Sequence, residues 1–300
     1  MGVLRHLIGL MTSLLFLLLT LVAFIPLLPL ALLKWLLPFK VCRRVCNRAL
    51  DWIASSWISA NNWHQRWLAG TPIDVQGEVA FSRDEWYLMI ANHQSWVDIL
   101  VILRVFNGRI PYVKFFLKKS LILVPFLGIA WWALDFPFMR RYSKAELARK
   151  PALKGRDIEE TRRACEKYRH SPVTIINFLE GTRFTPEKHR QQSSPYRHLL
   201  IPRAGGMAFA LAAMDGQLHK LLDVTIVYPD GAPSYWDYAC GRVRRIQVLV
   251  REFAISADMV GDYAGDVAFR EQFQGQVNRL WQEKDATLQA LLDERDGGRG

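Results

Sequence analysis

Residues 86–103 read WYLMIANHQSWVDILVIL, and this stretch decides the fold. The apolar and aromatic run from Trp86 to Ile90 is typical of a buried strand. It leads directly into Ala91-Asn92-His93, and a helix is expected from Ser95 through Leu103, because serine is favoured just before a helix. A strand that passes through a short loop into a helix predicts an α/β domain whose active loops follow strand ends.

The rest of the chain repeats this alternation of strands and helices. Short β-branched runs near turn residues or proline predict strands, and apolar residues at helical spacing predict helices. The predicted strands are Val75–Phe81, Val173–Leu179, Val224–Tyr228 and Ile246–Phe253, and the predicted helices are Asp157–Tyr168, Met207–Met214 and Phe269–Leu292. We therefore predict a catalytic α/β domain over residues 71–295, with a mixed sheet flanked by helices, starting at the break in residues 70–72.

His93 and Asp98 are candidates for acid–base chemistry. On one regular helix an offset of five residues turns two side chains about 140° apart, so the pair meets only if His93 precedes the helix. Asp98 in the first turn could then lean back toward the imidazole and hold it in one tautomer. Ser95 and Asp98 also fit a capping box, in which Asp98 would only complete the helix start. Both interpretations stay open on these residues alone.

Two later segments combine cations with glycine. Glu180-Gly181-Thr182-Arg183 directly follows a predicted strand, and arginine presents a planar fork suited to phosphate. Ile201-Pro202-Arg203 is followed by two more glycines and a predicted helix, whose first N–H groups favour anions. Each segment taken alone is also explained by an ordinary turn.

A further block runs from Lys118 to Arg141 and is almost wholly apolar between its terminal cations, with Trp131 and Trp132 inside it. Such a segment suits an acyl chain lying in a groove whose ends hold charged groups. It equally suits a buried core helix.

The first forty residues predict a membrane segment. No charged residue lies between His6 and Lys34, and about 20 apolar residues suffice to cross a bilayer core. The run is too long for a signal peptide and no small-residue cleavage pattern follows it. Pro26 and Pro29 predict a break near Ile25, which leaves a single span or a re-entrant hairpin open within residues 1–40. Residues 41–70 contain four tryptophans and no proline before the break, which predicts an interfacial amphipathic helix or a helix packed on the domain.

The positive charge is concentrated beside this apolar segment. Residues 1–70 hold seven Lys or Arg against one Asp, which is +6 of the net +11 of the chain. Cations next to an apolar span mark the cytoplasmic side and attract anionic lipids, so we expect a membrane partner rather than nucleic acid, with the catalytic domain in the cytoplasm. The four cysteines lack the paired spacing of a zinc site, so no metal is expected.

Together these blocks resemble the lysophosphatidic acid acyltransferase branch of the glycerol-phosphate acyltransferase superfamily. Asn92-His93 with Asp98 is similar to its catalytic block, Glu180 to Arg183 to its acceptor-binding block, and Ile201-Pro202-Arg203 to its later proline block. Many bacterial members have Phe-Ile-Asp-Arg in the second block. Here Phe138-Met139-Arg140-Arg141 stands in that place, so Arg141 fits and Arg140 departs from the pattern.

The resemblance implies transfer of a fatty acyl group from acyl-CoA or acyl carrier protein to the sn-2 hydroxyl of a lysophospholipid, with neither metal nor prosthetic group. His93 would act as the base, supported by Asp98. Arg183, Arg141 and Arg203 would hold the acceptor phosphate, and Glu180, Gly181 and Thr182 would form the acceptor loop. A hydrolase using the same His93 and Asp98, or a non-catalytic protein that binds anionic lipid, is the alternative.

Overall fold

The computed structural model describes residues 2–37, 39–139, 165, 168, 171–214 and 216–297, and confirms the predicted mixed α/β sheet flanked by helices. The strands of its main sheet are β1 (Ile73–Gln76), β2 (Tyr87–Ala91), β3 (Val113–Phe115), β6 (Thr174–Phe178), β7 (Lys220–Val227) and β8 (Ile246–Ala254), and a separate pair consists of β4 (Leu117–Lys118) and β5 (Phe138–Met139). The order in the main sheet is β1-β8-β7-β2-β6-β3. Neighbouring strands are parallel except for β7 and β8, which are antiparallel.

Eight α-helices surround the sheet in the described part of the chain. They are α1 (Gly2–Leu36), α2 (Lys40–Leu68), α3 (Val97–Phe106), α4 (Leu127–Ala133), α5 (Pro186–Gln192), α6 (Gly205–Met214), α7 (Tyr235–Ala239) and α8 (Val267–Gly297). Because side chains alternate along a strand, β2 contributes to a core on each face of the sheet. Leu88 and Ile90 join the core that includes α6 and α8, whereas Tyr87, Met89 and Ala91 join the one that includes α3.

Several element boundaries differ from those predicted. The strand expected at Val75–Phe81 is Ile73–Gln76, because Gly77 has a φ of +112° and a Cβ there would lie 2.0 Å from the carbonyl oxygen of Val250. The strand expected from Val224 already begins at Lys220. The helix after His93 begins at Val97 rather than Ser95. The helix predicted at Asp157–Tyr168 lies outside the described residues except for its positions 165 and 168.

The predicted break at Pro26 and Pro29 is wrong, because both prolines lie inside the continuous 35-residue helix α1. Packing on both sides of them gives the physical reason. Phe24, Leu27 and Ala31 are buried in one cluster with residues of α2 and α4, which holds the two halves of α1 in line despite the lost backbone donors. Helix α1 is about 52 Å long by its residue count and is the one described helix long and apolar enough to cross a membrane.

Helix α2 is amphipathic and packs along α1. Trp57 donates to the hydroxyl of Thr20 at 3.1 Å and meets Phe16 edge to face, so it belongs to the contact between the two helices. Trp52, Trp63 and Trp67 are instead about 70% exposed. These three tryptophans therefore do not pack on the catalytic domain.

Helix α1 also contacts the catalytic domain near both of its ends. Near its start, the hydroxyls of Ser13 and Tyr235 of α7 lie 3.3 Å apart. Near its end, Lys34 forms an ion pair of 2.5 Å with Asp135. Helix α4 joins this side through an edge-to-face contact of Phe126 with Phe24, and it buries only Gly128 and Ala133. Helix α4 is thus a mostly exposed apolar helix beside α1 rather than a core helix, whereas Leu134 and Phe136, which follow it, are buried.

Candidate active site

The loop that follows β2 is fixed in place by Asn92. Its side chain is fully buried, donates to the carbonyl of Ile226 at 2.8 Å and accepts from the Ile226 N–H at 2.8 Å. This two-way amide contact ties the end of β2 to its neighbour β7 at the point where the chain leaves the sheet. It therefore sets the position of the next residue, His93.

His93 and Asp98 are in hydrogen-bond contact, as the sequence predicted. The Nδ1 of His93 lies 2.8 Å from Oδ2 of Asp98, whose side chain is fully buried, while the imidazole keeps 13% of its surface exposed. A proton on Nδ1 would be donated to the carboxylate, which leaves Nε2 as the nitrogen with a free lone pair. This is the arrangement of a general base oriented by a carboxylate.

Asp98 also stabilises the start of α3. Its Oδ2 accepts from the backbone N–H groups of Gln94 at 2.7 Å and Ser95 at 2.9 Å. Its Oδ1 accepts from the hydroxyl of Tyr228 at 2.6 Å, and burial together with Asp98 raises the pKa of that tyrosine well above its ordinary value. One carboxylate thus contacts the imidazole and accepts from the N–H groups just before α3, but the capping box is only half formed, because the N–H of Asp98 donates to the carbonyl of Ser95 and not to its hydroxyl.

The ring of His93 stacks on Phe178 at the end of β6, with centroids 4.1 Å apart and planes inclined by 19°. The carbonyl of His93 accepts from the backbone N–H of Phe184 at 2.7 Å. Contacts from the loop after β6 therefore hold both the ring and the backbone of His93. They keep the imidazole in one orientation even before a substrate arrives.

Glu180 ties three loops together from inside the protein. Its side chain is fully buried, and its two oxygens accept from the backbone N–H of His93 at 2.7 Å and of Leu200 at 3.0 Å. Burial raises the pKa of Glu180 to about 8, and the nearby charge of Asp98 adds to this, while the two N–H donors and Lys284 act in the opposite direction. The contacts support the expectation that Glu180 positions the loops rather than transfers a proton.

Cations gather on the loop that follows β6. The guanidinium of Arg183 lies over the ring of Trp96, 4.9 Å from its centroid. Lys188 donates to the hydroxyl of Thr182 at 2.7 Å. Gly181 has a φ of +67°, and a Cβ there would lie 3.3 Å from Cδ of Arg203, so this turn favours glycine and lets the arginine side chain pass closely.

The segment that carries Arg203 is held by α8. Asp285 accepts from the backbone N–H groups of Arg197 at 2.7 Å and His198 at 2.8 Å. Trp281 donates to the carbonyl of Leu200 at 2.9 Å. Lys284, fully buried, anchors the same helix to the sheet by donating to the carbonyl of Val224 at 2.8 Å. The final third of the chain, in which the sequence offered no motif, therefore supports the site.

The structure brings all but one of the predicted site residues to the loops around His93. The exception is Arg141, which lies outside the described residues. Sequence reasoning missed Lys188, Tyr228 and the supporting residues of α8. Tyr228 had a usable signal, because it ended a predicted strand and polar groups at strand ends often reach an active site. Among the described residues, no group of three or more His, Cys, Asp or Glu side chains could hold a metal ion.

Comparisons with known proteins show which proteins this chain is similar to. The model of the acyltransferase family matches residues 72–229, more than half of the chain. Over 222 residues the chain is 27% identical to the mouse (Mus musculus) 1-acyl-sn-glycerol-3-phosphate acyltransferase gamma, covering 70% of this chain and 54% of that protein. Over 210 residues it is 26% identical to a probable 1-acyl-sn-glycerol-3-phosphate acyltransferase 5 of Arabidopsis thaliana, covering 66% of this chain and 53% of that protein.

The chain spans about half the length of these curated relatives. It is also similar to a crystal structure of the 1-acyl-sn-glycerophosphate (LPA) acyltransferase PlsC from Thermotoga maritima, with 18% identity and a TM-score of 0.49. That comparison covers 92% of this chain and 97% of the other.

Proposed function

This chain belongs to the acyltransferase family, and from that premise we propose that it moves a fatty acyl group from a thioester to the free sn-2 hydroxyl of lysophosphatidic acid or a related lysophospholipid. The donor would be acyl-CoA or an acyl carrier protein. The product would be phosphatidic acid or a diacyl phospholipid. The relatives carry names that state acyl transfer to 1-acyl-sn-glycerol-3-phosphate, which supports this acceptor class.

The proposed reaction needs only side chains and the two substrates. Nε2 of His93 takes the proton from the acceptor hydroxyl, and the oxygen attacks the thioester carbonyl. When the resulting tetrahedral intermediate collapses, the C–S bond breaks and the leaving thiolate takes the proton from His93. Asp98 stabilises the imidazolium that exists between these steps, and its contact of 2.8 Å with Nδ1 is the observation that carries the proposal.

The acceptor phosphate would bind to the cations beside the imidazole. Arg183 and Arg203 lie on loops that Glu180 ties to the His93 backbone, so a phosphate held there is kept at a fixed distance from the base. We extend this proposed role to Lys188, whose ammonium group sits at the Thr182 hydroxyl. Arginine forks and a lysine point charge are common phosphate ligands.

We further propose that the enzyme acts at a membrane surface with its catalytic domain in the cytoplasm. The exposed leucines of α1 and the exposed tryptophans of α2 form a surface suited to lipid and headgroups. Five Lys or Arg lie between Lys34 and Arg48, and cations beside an apolar helix favour the cytoplasmic side for the segment that carries them. A reporter fused after Gly300 that works only outside the cytoplasm would contradict this orientation.

An assay of purified full-length protein tests the reaction. A labelled acyl thioester is supplied with lysophosphatidic acid, with the matching monoacylglycerol, or with no acceptor. We expect labelled phosphatidic acid only in the first case with the wild type, and none with His93→Ala. Thioester loss at the same rate without any acceptor would indicate a hydrolase and contradict the proposal.

A further inference from the structure

A second group of arginines lines a recess of about 500 Å³ away from Arg183 and Arg203. The residues that line it are Arg5, Ala69, Gly70, Gly241, Arg242, Val243 and Arg244. Three of the seven are cations and none is acidic. The recess is assembled from the start of α1, the end of α2 and the loop before β8, so it exists only when the two N-terminal helices are docked on the domain.

The walls of the recess are fixed by specific contacts. Arg5 donates to the carbonyl of Gly241. Gly241 has a φ of +63°, and a Cβ there would lie 2.4 Å from the carbonyl oxygen of Ala69, so the close approach of the two walls requires glycine. The guanidinium of Arg242 is held between Asp237 at 3.3 Å and a ring nitrogen of His6 at 2.9 Å. Arg244 has no ion-pair partner within the part of the chain that the structure describes.

The recess lies at the same edge of the sheet as His93. The carboxyl end of β7 adjoins that of β2, and β8 and β1 begin there because they run in the opposite direction. Two strand spacings separate β2 from β8, which is about 10 Å. A chain of contacts also joins the two places, because Ser95 donates to the carbonyl of Pro233 at 2.5 Å and the short helix α7 leads from there to Gly241.

The two cationic groups therefore flank His93 from opposite sides. Arg183 and Arg203 lie on the side of β6, and the recess lies on the side of β8. One phosphate on the β6 side accounts for the acceptor of the proposed reaction. Of the three arginines on the β8 side, Arg242 is already paired with Asp237, which leaves the charges of Arg5 and Arg244 for a different anion.

We propose that this recess binds the phosphate group of a second ligand. Arginine forks suit phosphate oxygens, and the three cations come from separate segments that converge on one space. Two sources share this chemistry. One is the headgroup of an anionic phospholipid, whose chains could lie along the exposed residues Leu4, Leu7 and Leu10 of α1. The other is the phosphates of an acyl-CoA donor, whose extended pantetheine arm is longer than the two strand spacings that separate β2 from β8.

Adjacent arginines offer a matched test. Arg244→Gln removes a charge from the recess, and Arg245→Gln removes the same charge one residue away, where the side chain pairs with Asp74 outside it. Two binding measurements use the full-length protein without any turnover. One titrates coenzyme A onto the protein in detergent, and the other measures flotation with phosphatidylcholine vesicles that contain or lack phosphatidylglycerol.

We expect Arg244→Gln to weaken one of these bindings about fivefold and Arg244→Glu to weaken it more, while Arg245→Gln stays close to the wild type. Weaker binding of coenzyme A by Arg244→Gln assigns the recess to the acyl donor. The KM for acyl-CoA should then rise while the KM for the acceptor stays the same, and this expectation rests on the proposed function. Weaker flotation only with the vesicles that contain phosphatidylglycerol assigns the recess to a lipid headgroup. Equal effects of the Arg244 and Arg245 variants, or no effect of either, would overturn the proposal whether or not the enzyme is active.

Discussion

The two halves of the site are built in opposite ways. Around His93 and Asp98, polar atoms are buried and nearly every carboxylate oxygen is satisfied by donors from the protein. Around Arg183, the cation is exposed and rests on the face of Trp96. The first half is complete before a substrate arrives, whereas the second half offers its charge to solvent. We infer that the buried half determines the rate of the chemical step and the exposed half determines acceptor affinity.

Asp98→Asn gives the largest expected effect. The variant keeps the shape of the side chain but removes the charge that supports the imidazolium, so kcat should fall by about 10² to 10⁴. The amide cannot accept from every donor that the carboxylate now binds, among them the hydroxyl of Tyr228, so stability should fall by about 1 to 3 kcal/mol. His93→Ala should be at least as damaging, and the double variant little worse than either single one, because the two residues act as a unit.

Asp266→Asn serves as a matched control for the role in helix capping. Asp266 accepts from the N–H of Phe269 at 3.0 Å at the start of α8 and is exposed. Its loss should cost about 1 kcal/mol of stability at most and leave kcat unchanged. An Asp98→Asn enzyme that behaves like this control would reduce Asp98 to a helix cap and remove the distinction between the two halves.

The buried half should also make stability depend on pH through Glu180. Its carboxyl holds a proton more readily in the folded chain, with a pKa of about 8, than at the ordinary value of 4.5. Ionisation therefore opposes folding, and the free energy of unfolding should decrease by a few kcal/mol as the pH rises from about 4.5 through about 8. Urea unfolding at several pH values, compared between wild type and Glu180→Gln, isolates this contribution. Parallel pH profiles for the two proteins would show that folding does not raise the pKa of Glu180.

Arg183→Ala tests the exposed half. A charge-assisted hydrogen bond to phosphate contributes about 1.5 to 3 kcal/mol, so the KM for lysophosphatidic acid should rise roughly ten- to a hundredfold with little change in kcat. Arg183→Lys should restore little, because lysine lacks the planar fork. Arg190→Ala is the control, because it also removes one positive charge, from an exposed position on α5. If Arg183→Ala lowers kcat and leaves the KM for lysophosphatidic acid unaltered, the inference that the exposed half determines acceptor affinity is wrong.

Asp285→Asn should have the smallest of these effects. The amide of asparagine can accept from only one of the two N–H groups that Asp285 now binds, which costs about 1 kcal/mol and loosens the segment that carries Arg203. We expect the acceptor KM to rise about fivefold with kcat nearly constant. Glu271→Gln, exposed on the same helix, should match the wild type. A fall in kcat without a change in the acceptor KM would show that α8 supports the buried half of the site instead.

The parts of the site that the sequence predicts are local in the chain. His93 and Asp98 are five residues apart, and the end of a strand followed by the start of a helix is enough to bring them together. Glu180 and Arg183 follow the end of β6 in the same way. Their relation to His93 depends on β6 lying beside β2, which is a property of the strand order that no single segment contains.

Contacts over long sequence separations account for what could not be predicted. Tyr228 reaches Asp98 across 130 residues, and Asp285 reaches His198 across 87. The wrong prediction at Pro26 and Pro29 has the same origin, since packing by Phe24, Leu27 and Ala31 outweighs a local preference for a break. The division of the chain into residues 1–40, 41–70 and 71–295 remains a prediction at the level of domains.

The contacts of α8 with the segment that carries Arg203 have a consequence for synthesis of the protein. A nascent chain that has emerged only as far as Arg203 already contains His93, Asp98, Glu180 and Arg183, but Trp281 and Asp285 are still to be translated. The segment that carries Arg203 therefore cannot reach its final geometry during early co-translational folding. An incomplete chain already at the membrane would present His93 before that segment is in place, so we expect full activity to begin only once the last long helix has docked.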